Sequence, residues 1–224
     1  MMEKNTIFDE FSNNVAVWCG KNMDAMDLAG VVDCFAAQKI SVLSVPLGAV
    51  ETVWPWVEGK NVKIMSRFYF PDKIISEQQI SDVTAQINSS FKQGANGAQV
   101  FLPYAALDDL VKQTHVIRDD LFFNKFLSIG IDISEIDSQD WPVVFENLKK
   151  INASALTLVL TKDDEAKSDF VGRVYGMLDQ WGDDNKFDLH FAFGPNFMRI
   201  EQAIRLVQVM KPNLMNRLKF FVNV

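Results

Sequence analysis

Phe187-Asp188-Leu189-His190-Phe191-Ala192-Phe193-Gly194 alternates without a break. In an extended chain successive side chains point to opposite sides, so Phe187, Leu189, Phe191 and Phe193 share one face and Asp188, His190, Ala192 and Gly194 the other. The first face is wholly aromatic or aliphatic and needs helices to cover it. The second is small or polar and turns inward. Two further segments repeat the pattern. Leu127, Ile129, Ile131 and Ile133 stand against Ser128, Gly130, Asp132 and Ser134, and Val62, Ile64, Phe68 and Phe70 against Lys63, Met65, Arg67 and Tyr69. Apolar residues outward and polar residues inward are what the strands of a closed barrel require.

Working outward, β-rich runs alternate with amphipathic stretches along the whole chain, the pattern of repeated βα units around a parallel sheet. Eight strands are expected near Val15–Gly20, Ile40–Pro46, Val62–Phe70, Ala98–Pro103, Phe126–Ile133, Ala155–Thr161, Phe187–Gly194 and Lys219–Val224. Between them lie helical stripes. After the third strand, Ser76-Glu77-Gln78-Gln79 reads as a capping box, Ile80, Val83, Ile87 and Phe91 form the apolar face, and Gly94 stops the helix. After the seventh, Ile200, Ala203, Ile204, Val207 and Met210 do the same, and Pro212 ends the pattern. The second gap, Gly48 to Gly59, has room only for a short helix. The fold expected is a single α/β domain over residues 1–224, a (β/α)8 TIM barrel whose last helix is missing. Cover for the eighth strand then has to come from Ile7–Phe11 or from a second copy in a homodimer.

Composition agrees. The 224 residues suit one such barrel, which typically needs roughly 250, and 48% are hydrophobic, enough for a sizeable core. A formal net charge of −7 argues against nucleic acid or an anionic membrane as partner. Two cysteines, Cys19 and Cys34, do not make a disulfide framework, and the start Met1-Met2-Glu3-Lys4-Asn5 has no apolar leader. A soluble, cytoplasmic protein is expected. With two histidines and two cysteines, spacing assembles no zinc-type set, and neither a nucleotide loop nor a nucleophile elbow occurs, so no cofactor and no metal are expected.

The segment Gly94-Ala95-Asn96-Gly97-Ala98-Gln99-Val100-Phe101-Leu102-Pro103-Tyr104-Ala105-Ala106-Leu107 resembles the fourth-strand region of the deoxyribose-phosphate aldolases, where Gly-Ala precedes the strand and Ala-Leu follows it. Val62-Lys63-Ile64-Met65-Ser66-Arg67-Phe68-Tyr69-Phe70-Pro71 is similar to that family's third strand, and Val42 to Pro46 falls where its second strand ends in proline. The resemblance implies an aldolase-like barrel, a lyase if active. The family works through a strand-six lysine that forms a Schiff base, helped by a strand-seven lysine and a strand-four aspartate. In the register the resemblance favours, those positions hold Leu158, His190 and Gln99, with Asp132 in place of the strand-five acid. A shift on strand six would bring up Lys162 instead. Asp163, Asp164 and Glu165 follow it directly, and such neighbours raise an amine's pKa when imine formation needs it lowered.

The candidate catalytic residues are therefore His190, Asp132 and Gln99, and the candidate substrate-binding residues Arg67, Lys162 and Asn196. His190 offers an imidazole for proton transfer; equally, it suits a hydrogen-bonded core position. It is expected inside the barrel near the carboxyl-terminal mouth, within reach of Asp132 or a bridging water. Asp132 orients a substrate hydroxyl or fixes the imidazole tautomer, or else pairs with Arg67 in a structural ion pair. Arg67 is the anion-binding candidate, because Gly194-Pro195-Asn196 offers only one glycine for a phosphate cradle. Cys19 is a weaker nucleophile candidate, and His115 reads as a surface residue. Two readings stay open: an aldolase-derived barrel that acts on or binds a small carbonyl or sugar-like compound without Schiff-base chemistry, and an inactive barrel kept as a binding or assembly subunit.

Overall fold

The computed structural model describes residues 11–37, 40–70, 72–113, 125–160, 170–194 and 197–224. Eight strands close into one all-parallel barrel: β1 (Val15–Trp18), β2 (Val42–Pro46), β3 (Lys63–Tyr69), β4 (Gly97–Phe101), β5 (Phe126–Asp132), β6 (Ala155–Val159), β7 (Asp188–Ala192) and β8 (Leu218–Asn223). Each pairs with its successor, and β1 returns to β8 with Val15 opposite Phe220 and Trp18 opposite Asn223. Seven helices lie between them among the described residues: α1 (Ala25–Ala37), α2 (Val50–Val57), α3 (Glu77–Lys92), α4 (Leu107–Lys112), α5 (Trp141–Ile151), α6 (Phe170–Gln180) and α7 (Phe197–Met210).

Local chemistry sets these boundaries. Ser76 accepts from the Gln79 amide while the Gln79 side chain accepts from the Ser76 amide, so the capping box at the head of α3 is formed. Just past its end Gly94 takes φ +110°, and a Cβ there would meet the Trp54 ring at 2.4 Å. That residue has to be glycine twice over, for its dihedral and for the indole beside it. The short helix of the second gap is α2, eight residues long with Pro55 inside it.

The barrel has two apolar compartments. Outward-facing side chains such as Ile131, Leu158 and Phe191 pack with the helices in one continuous core. Inside, Ala16, Ala192 and Phe221 form a separate cluster with Trp18, Val42 and Val159 against it. On β8 the outward Phe220 and Val222 are 0% and 5% exposed within the single chain. No second copy is required to cover them. Phe11, the one described residue of the expected amino-terminal cover, is in the core, and Asn14 donates to the carbonyls of Met215 and Leu218 at the foot of β8. No helix among the described residues is long and apolar enough to cross a membrane.

Candidate functional site

At the carboxyl-terminal end of the strands the interior is filled by rings. Trp18 of β1 meets Phe101 of β4 at 5.1 Å and Phe221 of β8 at 5.8 Å, and Tyr69 of β3 stacks on Phe101 at 5.1 Å. Phe101 reaches this far because the facing position on β5 is Gly130, where a Cβ would lie 2.1 Å from its ring.

Beneath this cover lies Arg67, 3% exposed. Its guanidinium sits 4.4 Å from the Trp18 ring centroid, and Nη2 donates to the Cys19 carbonyl. Burial lowers its pKa to about 10, against the opposing pull of Tyr69 and Cys19, so it remains a cation at neutral pH. Its Nε and Nη1 have no hydrogen-bond partner. Next to it across the β3–β4 register stands Gln99, fully buried, whose Oε1 accepts from Ser44 at 2.5 Å while its Nε2 is also unpartnered. Neighbours across the β3–β4 register, the two side chains hold three buried N–H-bearing atoms without a partner among the described residues. Such groups each cost on the order of 1–3 kcal/mol when left unpaired, more when charged.

Asp132 ends β5, and its Oδ1 accepts from the amide and hydroxyl of Ser134 at 2.9 and 2.7 Å. Arg67 and Asp132 form no ion pair with each other, so the structural pairing considered from sequence is not what holds either of them. Cys19 is buried, and burial pushes its thiol up to about 11 despite the nearby Arg67 charge. A protonated thiol is a poor nucleophile.

His190 lies inside the barrel but toward the other end. The ring stacks on Phe126, the first residue of β5, at 5.8 Å and meets Phe221 edge-on at 5.6 Å. Its Nδ1 lies 3.4 Å from Thr157 Oγ1, which is 2.6 Å from Ser128 Oγ. With Asp188 and Lys219 it lines a cavity of about 610 Å³ at the amino-terminal ends of the strands. No hydrogen bond joins His190 to Asp132: β5 and β7 are separated by β6, and Asp132 lies two residues further along β5 than Gly130, whose row of paired residues runs through Thr157 to His190. Desolvation, reinforced by the Lys219 charge, lowers the imidazole to about 3. It is neutral at physiological pH and far below the range in which a general base works best. The expected placement at the carboxyl-terminal mouth beside Asp132 is therefore corrected: alternation along β7 turned the side chain inward, but its height in the barrel is that of the lower strands.

On β6 the inward residues are Ala155, Thr157 and Val159, since Thr157 pairs with His190 and Val159 with Ala192. Leu158, the residue assigned from sequence to the strand-six lysine position, faces the helices with Ile131 and Phe191. The side chain standing beside His190 in the interior is Thr157, which cannot form an imine. Lys162, Asn196 and His115 lie outside the described residues. Trp18, Phe101, Gly130 and Ser44 were not among the sequence candidates. Met65 and Lys63 marked the inward face of β3, but a ring lying across the barrel from β4 leaves no periodic signal. Among the described residues no group of three or more His, Cys, Asp or Glu is placed to hold a metal ion.

No family model and no curated protein matches the sequence. Solved structures do match. The chain superposes on QR15, an aldolase, with TM-score 0.70 at 10% identity, over 95% of this chain and 91% of that one. It superposes on the tetrameric deoxyribose phosphate aldolase of Aeropyrum pernix with TM-score 0.68 at 8% identity, over 96% and 86%. The fold these aldolases share with this chain is the (β/α)8 barrel. The carboxyl transferase domain of Rhizobium etli pyruvate carboxylase also matches, at TM-score 0.59 and 10% identity, over 97% of this chain and 43% of that one. At such identities the likeness is one of fold, and two chemistries among the matches show that the fold alone does not choose a reaction.

Proposed function

We propose that this barrel binds a small anionic carbonyl or sugar-like compound at its carboxyl-terminal mouth and does so without Schiff-base chemistry. The observation that carries the reading is the set of unpartnered donors, Arg67 Nε and Nη1 and Gln99 Nε2, with no carboxylate among the described residues paired to the guanidinium. A buried arginine is ordinarily matched by an anion. A carboxylate or phosphate oxygen on Arg67 and an adjacent carbonyl or hydroxyl oxygen on Gln99 would satisfy all three atoms. Trp18 lies over the guanidinium, so a ligand has to displace or slide beneath the indole to reach it. The absence of imine chemistry rests on the inward set of β6, where Thr157 occupies the position next to His190.

Two measurements test this. Incubation with pyruvate or glyceraldehyde 3-phosphate and borohydride, followed by mass spectrometry, is expected to give no reduced adduct. A stable adduct on Lys162 restores ordinary aldolase chemistry. Titration of the same compounds, followed by tryptophan fluorescence with Trp18→Phe as control, is expected to give a saturable change that the variant lacks.

A second reading has one observation behind it. With a neutral His190 held among rings and Ala155, Thr157 and Val159 on the inward face of β6, neither a titrating imidazole nor a strand-six amine stands in the described interior to carry acid–base or covalent chemistry. On that reading the barrel is a catalytically inactive binding or assembly subunit. If no small acid binds at the mouth, this second reading replaces the first.

A further inference from the structure

The cavity at the amino-terminal end of the barrel is at the wrong end for an aldolase-type site, because barrel enzymes build their sites from the loops at the carboxyl-terminal face. Its lining is nonetheless not that of a structural floor. Lys63 opens β3, Lys125 immediately precedes β5 with its amine 5.4 Å from the Phe91 ring centroid, and Lys219, near the start of β8, donates to the Asn13 carbonyl at 2.5 Å, so three separate elements each bring a lysine to the lining of one basin of about 610 Å³. Lys63 and Lys125 are exposed and Lys219 is half-buried. The single carboxylate in the lining, Asp188, is shared with Arg217 at 3.4 Å. A chain with net charge −7 has thus concentrated uncompensated positive charge in one concavity. The lysines feel one another: burial lowers the Lys219 amine and the Lys63 charge lowers it further, with only Asp188 opposing. Clefts of one sign focus the field and raise the local concentration of the opposite ion.

Neutral donors complete the set. The Asn96 carbonyl oxygen accepts from the Ile64 amide at 2.8 Å, which leaves its Nδ2 hydrogens free to donate toward the cavity that Asn96 lines. If Ser128 donates to Thr157 and Thr157 to His190 Nδ1, the imidazole proton falls on Nε2, which has no hydrogen-bond partner among the described residues.

We infer that this amino-terminal cavity is a binding site for a compact multivalent anion of the phosphate class, gripped by Lys63, Lys125 and Lys219 with the neutral His190 ring at its floor. It is separate from the mouth, and it stands or falls independently of the reading given for Arg67.

The test is calorimetric titration of inorganic phosphate and of pyrophosphate at low ionic strength, paired with NMR of the histidine ring carbons. The chain has two histidines, so His190→Gln assigns the signals. Saturable binding that shifts the His190 resonance, is tighter for pyrophosphate, and weakens about tenfold or more in the Lys63→Gln/Lys125→Gln variant is the expected result. Both substituted side chains are exposed, so folding of that variant is not at issue, and in Arg67→Met phosphate should still shift the His190 resonance. The inference is overturned if saturating phosphate leaves the His190 signal in place, if the double variant binds as tightly as the parent, or if Arg67→Met abolishes binding and so moves the anion to the mouth.

Discussion

The two ends of this barrel treat positive charge in opposite ways. At the carboxyl-terminal end one guanidinium is 3% exposed under the Trp18 indole with two of its nitrogens unpaired. At the amino-terminal end three lysines line a cavity, Lys63 and Lys125 exposed and Lys219 half-buried with its amine on the Asn13 carbonyl. Arginine suits the first place because its pKa is so high that desolvation still leaves it charged, whereas a lysine buried as deeply would lose its proton. The difference teaches that inward polar residues on barrel strands are not one site. Their height along the strand decides whether they meet the aromatic layer of the mouth or the lysine-lined basin at the other end, and His190, 4% exposed, forms the buried floor of that basin.

The comparison breaks most readily at Gly130. If the mouth is a packed aromatic layer that depends on Phe101 lying across the barrel, Gly130→Ala should cost roughly 1–3 kcal/mol in denaturant unfolding, because the new Cβ meets the Phe101 ring. A neutral outcome means the ring is free to move and the mouth is looser than described.

His190 sharpens the contrast through pH. Its folded pKa is about 3 and its unfolded value about 6.5. Between those values the unfolded chain binds the proton and the folded one does not, so stability falls as pH drops below about 6.5. Asp188, Lys63 and Lys219 line the same cavity and affect the size of this term, not its sign. His190→Gln should remove that component: the melting-temperature difference between variant and parent is flat above about pH 7 and moves in favour of the variant on acidification. A constant difference from pH 7 to 4 would show that the imidazole protonates in the folded barrel.

The smallest effect is expected between Asp132 and His190. Asp132→Ala removes at least the contacts with Ser134, a local capping interaction worth about 1 kcal/mol, and should leave the His190 titration unchanged. An altered titration would couple the two residues.

The barrel itself was readable from alternation. Phe187 to Gly194 set the facing of β7, and Ser76 to Gly94 gave both ends of α3, because strand facing and helix caps are local properties written in adjacent residues. The site was readable only in part. Alternation identified Arg67 and His190 as inward residues and the family resemblance added Gln99, yet neither carries information on height, which depends on the stagger between strands. That is why His190 was expected beside Asp132 and is found beside Thr157 and Lys219. The register of β6 was a second loss: in Ala155-Leu156-Thr157-Leu158-Val159 every residue is small or apolar enough to face either way, so only pairing with β7 shows that Thr157 points in and Leu158 out. The Phe101–Gly130 contact, made across two strands, was beyond any pattern in one segment.

The central claim is that Arg67 is kept for a ligand rather than for the fold, and Arg67→Met tests it most directly. Methionine keeps apolar length and removes a buried charge that no carboxylate among the described residues pairs, a replacement that is often neutral or stabilising. The account predicts a ligand-free melting temperature equal to or above the parent's, together with loss of the tryptophan fluorescence response to small carbonyl acids. A variant that melts several degrees lower while still binding those acids would contradict it, and Arg67 would be a structural cation of the barrel.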